Sequence, residues 1–140
     1  MNAVAWDRLH EGAEPEPREY GPLVLTDFVR YQGASGDMNP IHHDSDYARA
    51  AGFPSAFSVG MLQAGILASY LTDWLGPENV RRYSVQFREQ LWPGDRIVCS
   101  ARVVRRYELD GERRLDLDVL CTRVASGGAA IKGEATFVVP

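Results

Sequence analysis

The sequence predicts an α+β fold in which a curved antiparallel sheet wraps one long central helix. Three observations lead there. The run from Gly60 to Leu75 is apolar on nearly every face and is closed by Gly76-Pro77, a helix stop. Beyond it the apolar period drops from helical spacing to two and stays at two to the C-terminus. Asp110-Gly111, set between two alternating runs, is a hairpin signal. A helix without a polar face needs cover, and a four- or five-stranded sheet with one apolar face supplies it.

The elements follow in order. Residues 1–19 are polar and contain Glu14-Pro15-Glu16-Pro17, which reads as a mobile arm ahead of a single domain over 20–140. A first strand is expected near Glu19 to Leu25. Thr26 offers an N-cap, with Asp27 in the first turn of a short helix from Asp27 to Gln32. Gly33 to Ile41 reads as a loop. Ser45 can cap a second short helix, Asp46 to Ala51, ended by Gly52. The long helix comes next, buried all round. Tyr83, Val85 and Phe87 then alternate with polar residues, Pro93-Gly94-Asp95 turns, and Ile97 to Leu109 forms a long strand. Leu115 to Cys121 alternate again, Ser126-Gly127-Gly128 turns, and Ala129 to Val139 is the last strand. This is a hot-dog-like arrangement. Its sheet covers one side of the helix only, so apolar surface and a free sheet edge favour dimerisation.

Composition narrows the function classes. A chain of 140 residues with 45% apolar and 24% charged side chains is an ordinary globular domain with a real core. No apolar run approaches a membrane span. Met1 to Glu11 lacks a basic stretch followed by an apolar one, so no secretory signal is expected and the default location is the cytoplasm. Cys99 and Cys121 each fall in a strand-like alternation and read first as reduced packing residues, with a disulfide as the minor alternative. The charge is divided unevenly: residues 1–80 carry 4 basic and 11 acidic side chains, and residues 81–140 carry 11 and 8. Most of the later cations read as the solvent face of alternating strands, and nothing supports nucleic-acid binding.

The chemistry concentrates in Ser35-Gly36-Asp37-Met38-Asn39-Pro40-Ile41-His42. A carboxylate and an imidazole stand five residues apart, separated by a stiff turn. Pro40 fixes its own φ and pushes Asn39 out of helical geometry, Asn39 can bond the local backbone, and Gly36 supplies conformational freedom. Asp37 and His42 therefore do not share a helix face; a rigid turn sets their spacing, and such a pair can hold one water as a general acid/base device. Turn chemistry alone accounts for an Asp and an Asn-Pro, but it does not require the terminal His42. A metal site among His42, His43, Asp44 and Asp46 is disfavoured, because adjacent residues rarely converge on one ion and no second ligand cluster exists. Gly60 opens the long helix, where unpaired amides and the helix dipole stabilise negative charge, so its N–H is a candidate oxyanion donor. Gly-x-Ser-x-Gly, a phosphate-binding glycine loop and a dinucleotide fingerprint are all absent. Phe53, Phe57, Tyr70 and Trp74 read mainly as core, with one or two free to line an acyl pocket.

The stretch Tyr31-Gln32-Gly33-Ala34-Ser35-Gly36-Asp37-Met38-Asn39-Pro40-Ile41-His42 resembles the hydratase motif of the MaoC-like (R)-specific enoyl-CoA hydratases and the related (3R)-hydroxyacyl-thioester dehydratases. The resemblance continues through Gly60-Met61, the helix end at Tyr70 to Gly76, the Pro93-Gly94-Asp95 turn and the last strand. It implies a hot-dog fold, a homodimer or heterodimer, an acyl-CoA or acyl-carrier-protein thioester as substrate, and no metal or other cofactor. By the same resemblance Asp37 and His42 hold the water, Asp37 acts as base, the Gly60 amide polarises the thioester carbonyl, and Asn39 braces the loop. Two positions depart from the pattern: Val59 stands where many members have His, and Ala68 where some have Ser. Arg81, Arg82 and Arg88 are candidates for the carrier's phosphates. The competing readings are a non-catalytic subunit that completes a partner's tunnel, and a thioesterase on the same fold.

Overall fold

The apolar helix finds its cover in five strands. The computed structural model describes residues 4–140. In chain order it holds β1 (Arg18–Tyr20), α1 (Leu25–Ser35), a 3₁₀ turn (Pro40–His42), α2 (Ser45–Ala50), α3 (Gly60–Leu75), β2 (Val80–Phe87), β3 (Ile97–Leu109), β4 (Glu112–Arg123) and β5 (Ala129–Val138). The strands form one antiparallel sheet in the order β1-β3-β4-β5-β2. Alternation decides its faces. Ile97, Cys99 and Val103 of β3, Leu115 and Leu117 of β4, and Ile131 and Phe137 of β5 point inward and are buried. They meet Ala64, Leu67 and Leu71 of α3, with Phe28 of α1 closing the same core.

The hairpin between β3 and β4 turns at Asp110 (φ 52°) and Gly111 (φ 76°), the two left-handed residues that a tight hairpin of this twist demands. Cys99 and Cys121 face each other in register across β3 and β4 as buried free thiols.

Local details differ from the sequence reading. Helix α1 starts at Leu25, not after Thr26: Val24 is the cap residue, and Asp27 reaches back to accept from its N–H at 2.8 Å. Gly33 lies inside α1, so the loop begins at Gly36, where φ of +79° ends the helix. Asp44, not Ser45, caps α2 by accepting from the amides of Asp46 and Tyr47; Ser45 Oγ instead accepts from Ala56 N–H. The first strand is only Arg18–Tyr20, because the chain must then turn into α1.

The described part of the arm, expected to be mobile, is laid on the sheet. Leu9 is 1% exposed, Gly12 N–H donates to Val103 C=O at 2.7 Å, and Val103 N–H donates to Ala13 C=O. The arm thereby covers the edge of β3 beyond the end of short β1. Nor is α3 buried all round: Met61, Gly65, Ser69 and Asp73, four residues apart, form an exposed stripe. Strand β2 is the other sheet edge, and Phe87 at its end is 55% exposed. No helix among the described residues is long and apolar enough to cross a membrane.

Two outcomes are expected. Leu67→Ala, at a fully buried position against the sheet, should lower unfolding free energy by about 2–5 kcal/mol in a denaturant titration. Burial lifts the Tyr70 hydroxyl, which donates to the Glu16 carbonyl at 3.1 Å, from 10.0 to about 12. The folded state therefore keeps this proton after the unfolded chain has lost it. Its contribution is intact below pH 10 and is lost as pH rises toward 12. Tyr70→Phe should flatten that part of a stability-versus-pH curve.

Candidate active site

Three backbone decisions build the site. Gly36 ends α1 in the left-handed region, and its N–H donates to Gln32 C=O at 2.9 Å, so the chain leaves the helix at once. Asp37 then forms a small Asx turn, with Asn39 N–H donating to Asp37 Oδ1 at 3.2 Å. Asn39 caps the next turn, its Oδ1 accepting from Ile41 N–H at 3.1 Å, and Pro40 occupies the first position, where a missing N–H costs nothing. The last residue of that 3₁₀ turn is His42.

The result brings the sequence-singled pair together. His42 Nε2 lies 4.0 Å from Asp37 Oδ2, with the Asp37 side chain 48% exposed and that of His42 12%. The other ring nitrogen is spent: His42 Nδ1 stands 2.8 Å from the Phe57 carbonyl oxygen. A carbonyl only accepts, so Nδ1 carries a proton, and Nε2 is the ring nitrogen that faces Asp37. The Asp37 carboxylate is divided in the same way, Oδ1 held by the Asn39 amide and Oδ2 turned to the imidazole. The ring is also gripped by its surroundings: Phe57 meets His42 edge-on at 5.2 Å and is itself packed by Phe53 and Trp92. Phe53 and Phe57 are thus the aromatics beside the site, while Tyr70 belongs to the core.

Gly60 is reached through the same segment. It is three residues beyond Phe57, so no more than about 11 Å of chain separates their α-carbons. Ser58 N–H donates to Leu91 C=O at 2.8 Å, and buried Ser58 Oγ donates to Gln63 Oε1 at 2.7 Å, anchoring the start of α3. Val59, the residue before Gly60, is 3% exposed and supplies no side-chain cap. A Cβ on Gly60 would sit 2.9 Å from the ring of half-exposed Phe87, which would have to turn aside to admit it.

Of the three arginines, Arg81 is occupied by Glu112 at 2.8 Å, and Arg82 faces Glu134 at 3.9 Å on the outer face of β2. Arg88, bonded to Gln86, lies with Arg82, Ser84 and Gln86 on the outer face of the sheet, opposite to Tyr83 and Val85, which face the core.

The sequence reading missed two partners of the loop. Gln32, 0% exposed, donates from Nε2 to Asn39 C=O at 2.9 Å, and its Oε1 lies 2.9 Å from His43 Nδ1. The signal was present: Gln32 lies four residues after Phe28 on the inward face of α1, a position the helical pattern reserves for apolar residues.

A model of the MaoC like domain matches residues 9–124. The chain belongs to the MaoC-like domain family. An (R)-specific enoyl-CoA hydratase of Rhodospirillum rubrum is 30% identical over 117 residues, covering 82% of this chain and 78% of that one. A mitochondrial 3-hydroxyacyl-[acyl-carrier-protein] dehydratase of Arabidopsis thaliana is 26% identical over 123 residues, covering 88% and 74%. The unliganded R-hydratase PhaJ1 of Pseudomonas aeruginosa superposes with a TM-score of 0.84 at 22% identity, covering 99% of this chain and 86% of that one. The fold is the hot-dog fold expected from the sequence, and this MaoC-like chain is a lyase of the hydratase/dehydratase class.

Gly60→Ala should leave the fold intact, because half-exposed Phe87 can turn aside, while lowering turnover of this class of reaction by roughly 10-fold or more, because the added methyl and the turned ring crowd the approach to the Gly60 N–H. Circular dichroism and initial rates on one preparation check both halves.

Proposed function

We propose that the protein catalyses the reversible hydration of trans-2-enoyl thioesters to (3R)-3-hydroxyacyl thioesters, carried on coenzyme A or an acyl carrier protein. The observation that carries the proposal is the opposition of Asp37 Oδ2 and His42 Nε2 at 4.0 Å, with His42 Nδ1 already engaged by the Phe57 carbonyl. A water about 2.8 Å from both atoms is held at an angle of about 90°, a normal geometry for two hydrogen bonds. The hydratase and dehydratase relatives support this reading over thioester hydrolysis.

In hydration the water oxygen adds to C3 of the enoyl group while Asp37 takes one of its protons and His42 orients it. The electron pair of the double bond moves toward the thioester, and the charge gathering on the carbonyl oxygen is met by the Gly60 N–H at the positive end of α3. The proton then passes from the Asp37/His42 pair to C2. Every atom of the water ends in the product, and dehydration is the same path reversed. No step needs a metal or a redox partner. Asn39, Pro40 and Gly36 hold the loop. A second hot-dog chain, identical or different, covers the edge of β2 and the exposed stripe of α3. The cytoplasm is the proposed compartment.

Asp37→Asn should retain the fold and lose roughly 10²- to 10⁴-fold in rate, followed as the disappearance of the enoyl absorbance of a short trans-2-enoyl-CoA. Full activity in that variant would refute the assignment of the base.

A further inference from the structure

We propose that Gln32 and His43 form a latch that sets the position of His42, with Gln32 a positioning residue for the reaction. The proposal rests on the hydratase reading only for its kinetic consequence; its geometry stands apart from it.

The 3₁₀ turn that carries His42 is three residues long. So short a turn has little cohesion of its own, and its orientation must come from outside. Its N-cap is Asn39 and its C-cap is His43. The Gln32 carboxamide touches both: Nε2 donates to the Asn39 carbonyl, and Oε1 accepts from His43 Nδ1, each at 2.9 Å. One fully buried side chain thus grips the turn at its two ends.

The proton assignments are forced. The Asn39 carbonyl is an acceptor only, so the NH₂ of Gln32 must face it and the oxygen must face His43. His43 then carries its proton on Nδ1. The same Asn39 carbonyl also accepts from His42 N–H at 3.2 Å, so Gln32 pulls on the atom that anchors the backbone of His42. The Phe57 carbonyl holds the His42 ring. Backbone and ring are therefore constrained by separate partners, and the 4.0 Å approach to Asp37 is the outcome. Gln32 is rooted in the last turn of α1, whose Phe28 is wholly buried, so the latch refers the loop to the core.

The test uses the full chain with ¹⁵N-labelled histidine, His42→Ala serving to assign the resonances. Gln32→Met keeps the volume and deletes both hydrogen bonds. His43→Phe breaks the other end, at a position that is only partly buried, and so serves if Gln32→Met fails to fold. In the wild type His42 should show one tautomer, protonated on Nδ1. In either variant its ring signals should shift or broaden toward tautomer averaging while those of His10 stay unchanged. The rate constant kcat for enoyl thioester hydration should fall roughly 10- to 100-fold with KM within about threefold. The double variant should be no worse than the poorer single one, since both cut the same latch. Unchanged His42 signals in a folded variant overturn the proposal, as do additive losses. If the wild type hydrates no enoyl thioester, the functional reading falls while the nuclear magnetic resonance result still decides the latch.

Discussion

Residue 57 spends both of its backbone polar groups on the loop that carries His42, and much of the site depends on that fact. Phe57 N–H donates to Ile41 C=O at 3.3 Å, and Phe57 C=O accepts from His42 Nδ1 at 2.8 Å. One residue on, Ser58 is tied to Leu91, and three residues on, α3 begins. The short stretch from Phe57 to Gly60 therefore joins the motif loop, the turn before β3 and the positive end of the buried helix. A shift in any of the three is transmitted to the others as a change in where His42 or the Gly60 amide stands.

The turn before β3 is itself held by charge. Asp95, 7% exposed, accepts from Trp92 N–H and Arg123 Nε, both at 2.7 Å, and Arg123 Nη1 donates to Glu89 at 3.0 Å. Hydrogen bonds to ionised groups are the stronger kind, and this network keeps Trp92 against Phe57. The polar wiring under the aromatic wall thus runs from the end of β4 to the ring beside His42. Gln32 of α1 adds its hold on the Asn39 carbonyl and on His43.

The features legible in the sequence were those governed by local rules. The limits of α3 followed from Gly60 and Gly76-Pro77, and the β3–β4 hairpin from Asp110-Gly111, because a turn or helix end is decided within a few residues. The pairing of Asp37 with His42 was legible for the same reason: the Asn-Pro turn lies between them. What failed depended on distant partners. Thr26 looked like a cap, yet the cap residue is Val24, whose N–H donates to the Asp27 carboxylate that reaches back to it. The Pro- and Glu-rich arm looked solvated, but the open edge of β3 offered Gly12 and Ala13 their backbone partners, and the core offered Leu9 a place. The carbonyl that fixes the tautomer of His42 lies fifteen residues downstream and carries no sequence signal, since any residue has a carbonyl.

That carbonyl has a consequence for proton traffic. An imidazole with both nitrogens free can take a proton at one and release it from the other, passing it through the ring to a different side of the pocket. His42 has only one open port, because Nδ1 is engaged with Phe57. Any proton it accepts at Nε2 must leave from Nε2, on the side that faces Asp37. The ring is a dead end for proton relay, and exchange through it is confined to the cleft it shares with the carboxylate.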